Sequence, residues 1–167
     1  MKKLILFLLL TYSNQIFAPL PSVIEVRNLY QKAAVESKSC TKIIALLRTY
    51  DETNNTLMGG YKACAKMMMA NYVINPYSKL SNFKEGKTLL EKCIKADYKN
   101  TELRFLRFSI QTKAPSFLGY INFINSDKKY LINSLSSITD TALKEIIITF
   151  LKHSEHLSLS EKLKLNK

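Results

Sequence analysis

Arg104, Arg107 and Gln111 stand at i, i+3 and i+7 of one segment, so any helix built there carries all three on one face. Two neighbouring guanidiniums can grip a carboxylate or a phosphate with paired, charge-assisted hydrogen bonds. Tyr120, just beyond the break at Ala114-Pro115, could add a hydroxyl to such a site. These four residues form the candidate ligand-binding set, and its chemistry points to an anionic group or a peptide. The same spacing also serves packing, with the arginines paired to acids on the preceding helix or on the C-terminal helices. Residue types alone leave both readings open.

Other reactive side chains combine less readily. His153 and His156 are the only histidines and flank Glu155, but no third metal ligand accompanies them, so no metal and no cofactor is expected. No other histidine is present to activate Ser109 or a cysteine, which leaves a nucleophile–histidine–acid arrangement nothing to build on. An enzyme would have to draw its acid and base from scattered groups such as Glu102 and Tyr120. Cys40, Cys64 and Cys93 lie 24 and 29 residues apart, a spacing that fits no metal signature. Each falls on an apolar helical face, where cysteine behaves as a small hydrophobe. A Cys40–Cys64 bridge is the alternative. Lys62 and Lys66 could line a groove or form a solvated stripe. Met67 to Met69 read as core, and Gly59-Gly60 lacks the pattern of a phosphate loop.

The elements that must position these groups are helices throughout. Apolar residues recur at helical spacing almost everywhere, no segment alternates with period two, and only four glycines and four prolines interrupt the chain. The pattern predicts an all-α fold of about seven to eight helices, joined by short connections into antiparallel hairpins. Expected spans are 22–36, opened by a Ser22–Glu25 capping box, then 39–50, 57–74, 79–96 and 101–113. Residues 117–124 read as a short helix or an ordered loop. A helix capped by Ser126-Asp127 should run to about Leu135, another spans 140–152, and a last one starts at Ser158 with its own capping box to Glu161. The span from Leu57 to Ile74 is apolar nearly all round, which places it at the centre of the domain.

Two resemblances add to this reading. Leu89 to Asn100 resembles the end of the second helix of a tetratricopeptide repeat and the turn after it, with Tyr98 where the usual proline stands. Glu102 to Phe108 would then open the next repeat, which implies tetratricopeptide-like helix pairs. Val26-Arg27-Asn28-Leu29-Tyr30, Gly60-Tyr61-Lys62, Met67 to Ala70, Glu102 to Gln111 and Ala114 to Tyr120 together resemble a family of small exported proteins of flavobacteria and their relatives. That resemblance implies an exported helical domain and carries no activity with it.

The N-terminus supports export independently. Lys2-Lys3 precede an unbroken apolar run from Leu4 to Leu10, and Ala18 offers the small side chain a signal peptidase accepts. Residues 1–18 therefore read as a signal peptide and 19–167 as one helical domain. The apolar run is too short to span a bilayer, and no cysteine lies near the cleavage point to carry a lipid, so no stable membrane anchor is expected. Net charge is +12, falling to +10 without the leader, and it is spread along the chain. Outside the cytoplasm such a charge meets envelope polymers, headgroups or acidic proteins rather than nucleic acid. The expectation is a periplasmic or secreted binding or scaffolding module, non-enzymatic, with a protein or peptide partner. An enzyme acting on cell-envelope material is the alternative.

Overall fold

The computed structural model describes residues 20–165. The signal peptide expected at 1–18 and the last two residues lie outside that range. Among the described residues the chain is all-helical, with no strand. In order, α1 is Val23–Ala33, α2 Ser37–Leu46, α3 Thr56–Met69, α4 Pro76–Ala96, α5 Thr101–Gln111, α6 Ile124–Ser134, α7 Thr141–His153 and α8 Leu159–Lys164. Short 3-10 turns at Ser116–Leu118 and Leu135–Ser137 flank α6.

Local chemistry fixes most of the starts. Asn55, Asn100 and Asp140 accept from backbone N–H groups of the first turns of α3, α5 and α7. Ser158 and Glu161 complete the capping box at α8. At α1 only half of the expected box forms. Ser22 accepts from the Glu25 backbone, while the Glu25 carboxylate turns toward Lys42, 3.4 Å away.

Several boundaries move, as in α2, expected over 39–50 and found at Ser37–Leu46, and two of the shifts have identifiable reasons. Residues 70–74 do not extend α3, which ends at Met69. Asn75 instead accepts from the Tyr77 and Ser78 backbones and opens α4 with Pro76 in its first position, where the missing N–H costs nothing. The cap expected at Ser126-Asp127 is absent. The helix starts at Ile124, and Asp127 is wholly buried inside it because two guanidiniums claim its carboxylate.

Three hairpins form, α1 with α2, α3 with α4, and α5 with α6, and their first helices pack side by side in the order α1, α3, α5, then α7. Gly86 lets α4 close on α3, since a Cβ there would meet the Ala63 carbonyl oxygen at 2.4 Å. Gly60 does the same for α3 against Leu103 of α5.

The interior divides in two. One cluster draws Val26, Ile43, Leu47, Leu90, Leu103 and Leu106 from α1 to α5, and the other draws Phe105, Phe108, Leu131, Ile147 and Leu151 from α5 to α7. α3 is central to the first cluster, as its apolar composition predicts. The domain as a whole is centred on α5, which sends side chains into both clusters and buries nine of its eleven residues.

Candidate functional site

Asp127, with no exposed surface, collects both candidate arginines. Arg107 donates from Nε to Oδ2 at 2.7 Å and from Nη2 to Oδ1 at 2.9 Å, a bidentate pair, and Arg104 adds Nη1 to Oδ1 at 2.9 Å. The third nitrogen of Arg107, Nη1, donates to Glu91 of α4 at 2.8 Å. Tyr120 donates its hydroxyl to the other oxygen of Glu91 at 2.5 Å. The Phe123 ring covers the Arg107 guanidinium at 3.9 Å. Two cations and two carboxylates thus balance, with every nitrogen of Arg107 committed.

The chemistry is structural in its geometry. Burial by itself would make Arg107 easier to deprotonate, but the Asp127 and Glu91 carboxylates outweigh it and hold its pKa above the ordinary value. Burial, then the bond to Glu91, pushes the Tyr120 hydroxyl far above the usual phenol range. Arg104 is the more open arginine, its side chain 20 % exposed, with Nε donating to the Tyr98 carbonyl at 3.3 Å and Tyr130 beneath it. Gln111 lies deeper still, 1 % exposed, and neither of its amide atoms has a hydrogen-bond partner. The four residues named from sequence therefore share one side of α5, but three of them serve an internal network and the fourth is enclosed.

A second ionic cluster, which sequence reading missed, sits at the start of α5. Arg27 of α1 grips Glu102 with Nε and Nη2, both at 2.7 Å, and reaches Asp140 at the start of α7 with Nη1 at 2.7 Å. Tyr61 of α3 donates to Glu102 as well. The bond to Glu102 is the main reason the Arg27 guanidinium binds its proton even more tightly than usual. Asp140 is held below the ordinary carboxylate range by the Leu143 backbone N–H first and by Arg27 next. Arg27 gave one signal in the sequence, a cation beside Val26 on the inward face of α1. Glu102 and Tyr120, the scattered acid and base an enzyme would need, belong to different clusters and are each engaged.

The remaining candidates separate. Cys40, Cys64 and Cys93 are free and fully buried, and burial raises the Cys40 thiol to about 11 and the Cys93 thiol to about 12. His153 bonds the Thr149 carbonyl through Nδ1 at 2.8 Å, and no cluster of three potential metal ligands occurs among the described residues. Lys66 pairs with Glu85 at 2.7 Å, while Lys62 reaches the Arg48 carbonyl at 3.2 Å. Both border a shallow basic hollow with Arg48, Lys84 and Lys92.

Open space lies on the other side of α5. A groove of about 850 Å³ runs along the row of first helices. Tyr30 and Gln31 come from α1, Met68 from α3, Phe105, Ser109 and Ile110 from α5, and Ile146, Thr149 and Phe150 from α7. Its floor is apolar, and the hydroxyls of Tyr30 and Ser109 meet there at 2.7 Å. No family model matches this chain, and no curated protein or solved structure matches it either.

Proposed function

We propose that this chain is an exported, non-enzymatic binding module, built of tetratricopeptide-like helix pairs, that holds a peptide segment of an envelope partner in the groove along α1, α3, α5 and α7. One observation carries the reading: the first helix of each hairpin, and then α7, contributes to a single continuous wall. A row of parallel helix faces offers apolar seats at regular intervals, with hydroxyl and amide groups between them to meet the backbone of an extended ligand. Met68, Ile110 and Ile146 supply the seats, and Tyr30, Ser109 and Thr149 the polar edges. Export is supported by the charged, apolar and small-residue sequence of the first 18 residues.

The enzymatic alternative finds less support, because the buried titratable groups around α5 are engaged with one another rather than presented to a cavity. The anion-binding role read from Arg104 and Arg107 moves as well, since their donors meet Asp127 and Glu91.

The test is selection of peptides from a displayed library on the folded chain, followed by titration of the winners by fluorescence anisotropy. Ile146 is partly exposed in the groove, so Ile146→Arg should weaken the selected peptides by about tenfold or more while unfolding stability changes by less than about 0.5 kcal/mol. Equal binding by wild type and Ile146→Arg would remove the groove from the function.

A further inference from the structure

At one end of the groove a separate cavity of about 450 Å³ opens between the end of α3, the start of α4, the end of α5 and the 3-10 turn at Ser116–Leu118. We propose that this cavity is a binding site for a single-chain fatty-acid anion, its hydrocarbon tail enclosed by the cavity and its carboxylate held at the mouth by Lys79 and Lys113. The inference goes beyond the peptide groove and stands without it, although the two spaces share Met68, Asn71, Ile110 and Lys113.

The lining determines the ligand class. Met67, Ala70, Leu80, Phe83, Phe117 and Leu118 make the walls apolar, and Asn71, Lys79 and Lys113 are the polar members. No carboxylate lines the cavity. Neither lysine takes part in an ion pair among the described residues, whereas Lys42, Lys66, Lys92 and Lys128 each do. An apolar chamber with two uncompensated cations at its edge complements a molecule with a long apolar body and one negative end. A cationic amphiphile would meet like charges there, and a fully polar anion would leave the walls unsatisfied.

The mouth is unusually apolar for a surface. Phe117 is 84 % exposed and Leu80 43 %, and both line the cavity. Contiguous exposed hydrophobic side chains around a concavity mark a ligand or membrane contact. Here they give an acyl chain an apolar path between bulk lipid and the chamber.

The chamber is held from behind. Gly119 takes a left-handed conformation, φ 61°, which ends the 3-10 turn and sends Tyr120 back into the interior. The Tyr120 ring stands edge-on to Phe83, 6.0 Å between centroids, while its hydroxyl is fixed on Glu91. Tyr120, picked from sequence as a ligand contact, is thus a positioning residue for the cavity wall.

The experiment is calorimetric titration of the folded chain with sodium laurate below its micelle concentration, beside lauryl trimethylammonium and lauryl alcohol. Laurate should bind with a stoichiometry near one per chain, about tenfold tighter than either partner of the same tail. The double variant Lys79→Ala, Lys113→Ala alters exposed side chains only and should cost laurate, and not the alcohol, about tenfold with the melting temperature unchanged. Leu80→Asp should abolish uptake of both. Ile146→Arg, which disables the peptide groove, should leave laurate binding as it is, so failure of either proposal is read separately. No saturable laurate binding, uptake of many molecules per chain, or equal affinity for the three tails would each overturn the assignment.

Discussion

The two sides of α5 carry opposite kinds of chemistry. Toward α4 and α6 it presents Arg104, Arg107 and Gln111, and that side is closed, with the guanidiniums bonded to Asp127 and Glu91 and the amide enclosed. Toward α1 and α7 it presents Phe105, Ser109 and Ile110, and that side opens into a groove. Charged groups at helical spacing look like a site because they can hold an anion. Inside a protein the nearest anion is usually another part of the chain, and bringing charges out of water demands that they be paired. The apolar side, by contrast, borders a groove that it lines together with α1, α3 and α7.

Removing the carboxylate at the centre of the closed side should have the largest effect. Asp127→Ala leaves the buried Arg107 and the partly exposed Arg104 without their shared partner and should cost about 3–5 kcal/mol in a urea unfolding curve. Arg104→Ala, which takes away the half-open member while Arg107 keeps both bonds to Asp127, should cost no more than about 1 kcal/mol. Equal losses from the two variants would mean the network is not centred on Asp127. Tyr120→Phe removes one hydroxyl from Glu91 and should cost about 1–2 kcal/mol by the same measurement.

Gln111→Met tests the deepest point of that side. Replacing an unpartnered amide with an apolar chain of similar shape should leave stability unchanged or raise it by about 1 kcal/mol. A marked loss of thermal stability would show that the amide has a partner in solution.

The smallest effect is expected at the ionic cluster that joins α1, α5 and α7. Asp140 has a lowered pKa in the folded chain, so its contribution to stability is present above the ordinary carboxylate range and is lost as pH falls through the folded value. Its side chain is 43 % exposed, which keeps the contribution small. Asp140→Asn should therefore lower stability slightly at pH 7 and flatten the acid limb below about pH 4, where wild type and variant converge. A constant offset between the two at every pH would assign the loss to the helix cap rather than to charge.

Much of the fold was legible along the chain. The 3.6-residue period marks every helix, and the caps at Ser22 and Ser158 mark two of the starts. The errors fall where two local rules compete. Asn75-Pro76 both stops one helix and starts another, and the sequence does not say which helix owns the five residues before it. Ser126-Asp127 has the form of a cap, but a carboxylate that finishes with no exposed surface obeys its arginines instead. The candidate site was legible only as a list. Arg104, Arg107 and Tyr120 do act together, through Glu91 and Asp127, whose roles no spacing announces because they come from other helices, 16 and 20 residues away from Arg107.

The sequence alone determined the helical class, the short connections that pair α1 to α6 into hairpins, and the inward faces, because these depend on residues within one or two turns of each other. Only the tertiary structure decided which side of α5 would be sealed and which left open. That outcome depends on partners distant in the chain, on Asp127 and Glu91 reaching the arginines from one side and on the groove that α5 lines with α1, α3 and α7 on the other. Local periodicity records that a residue turns inward, and packing decides whether it meets another side chain or a space that a ligand can fill.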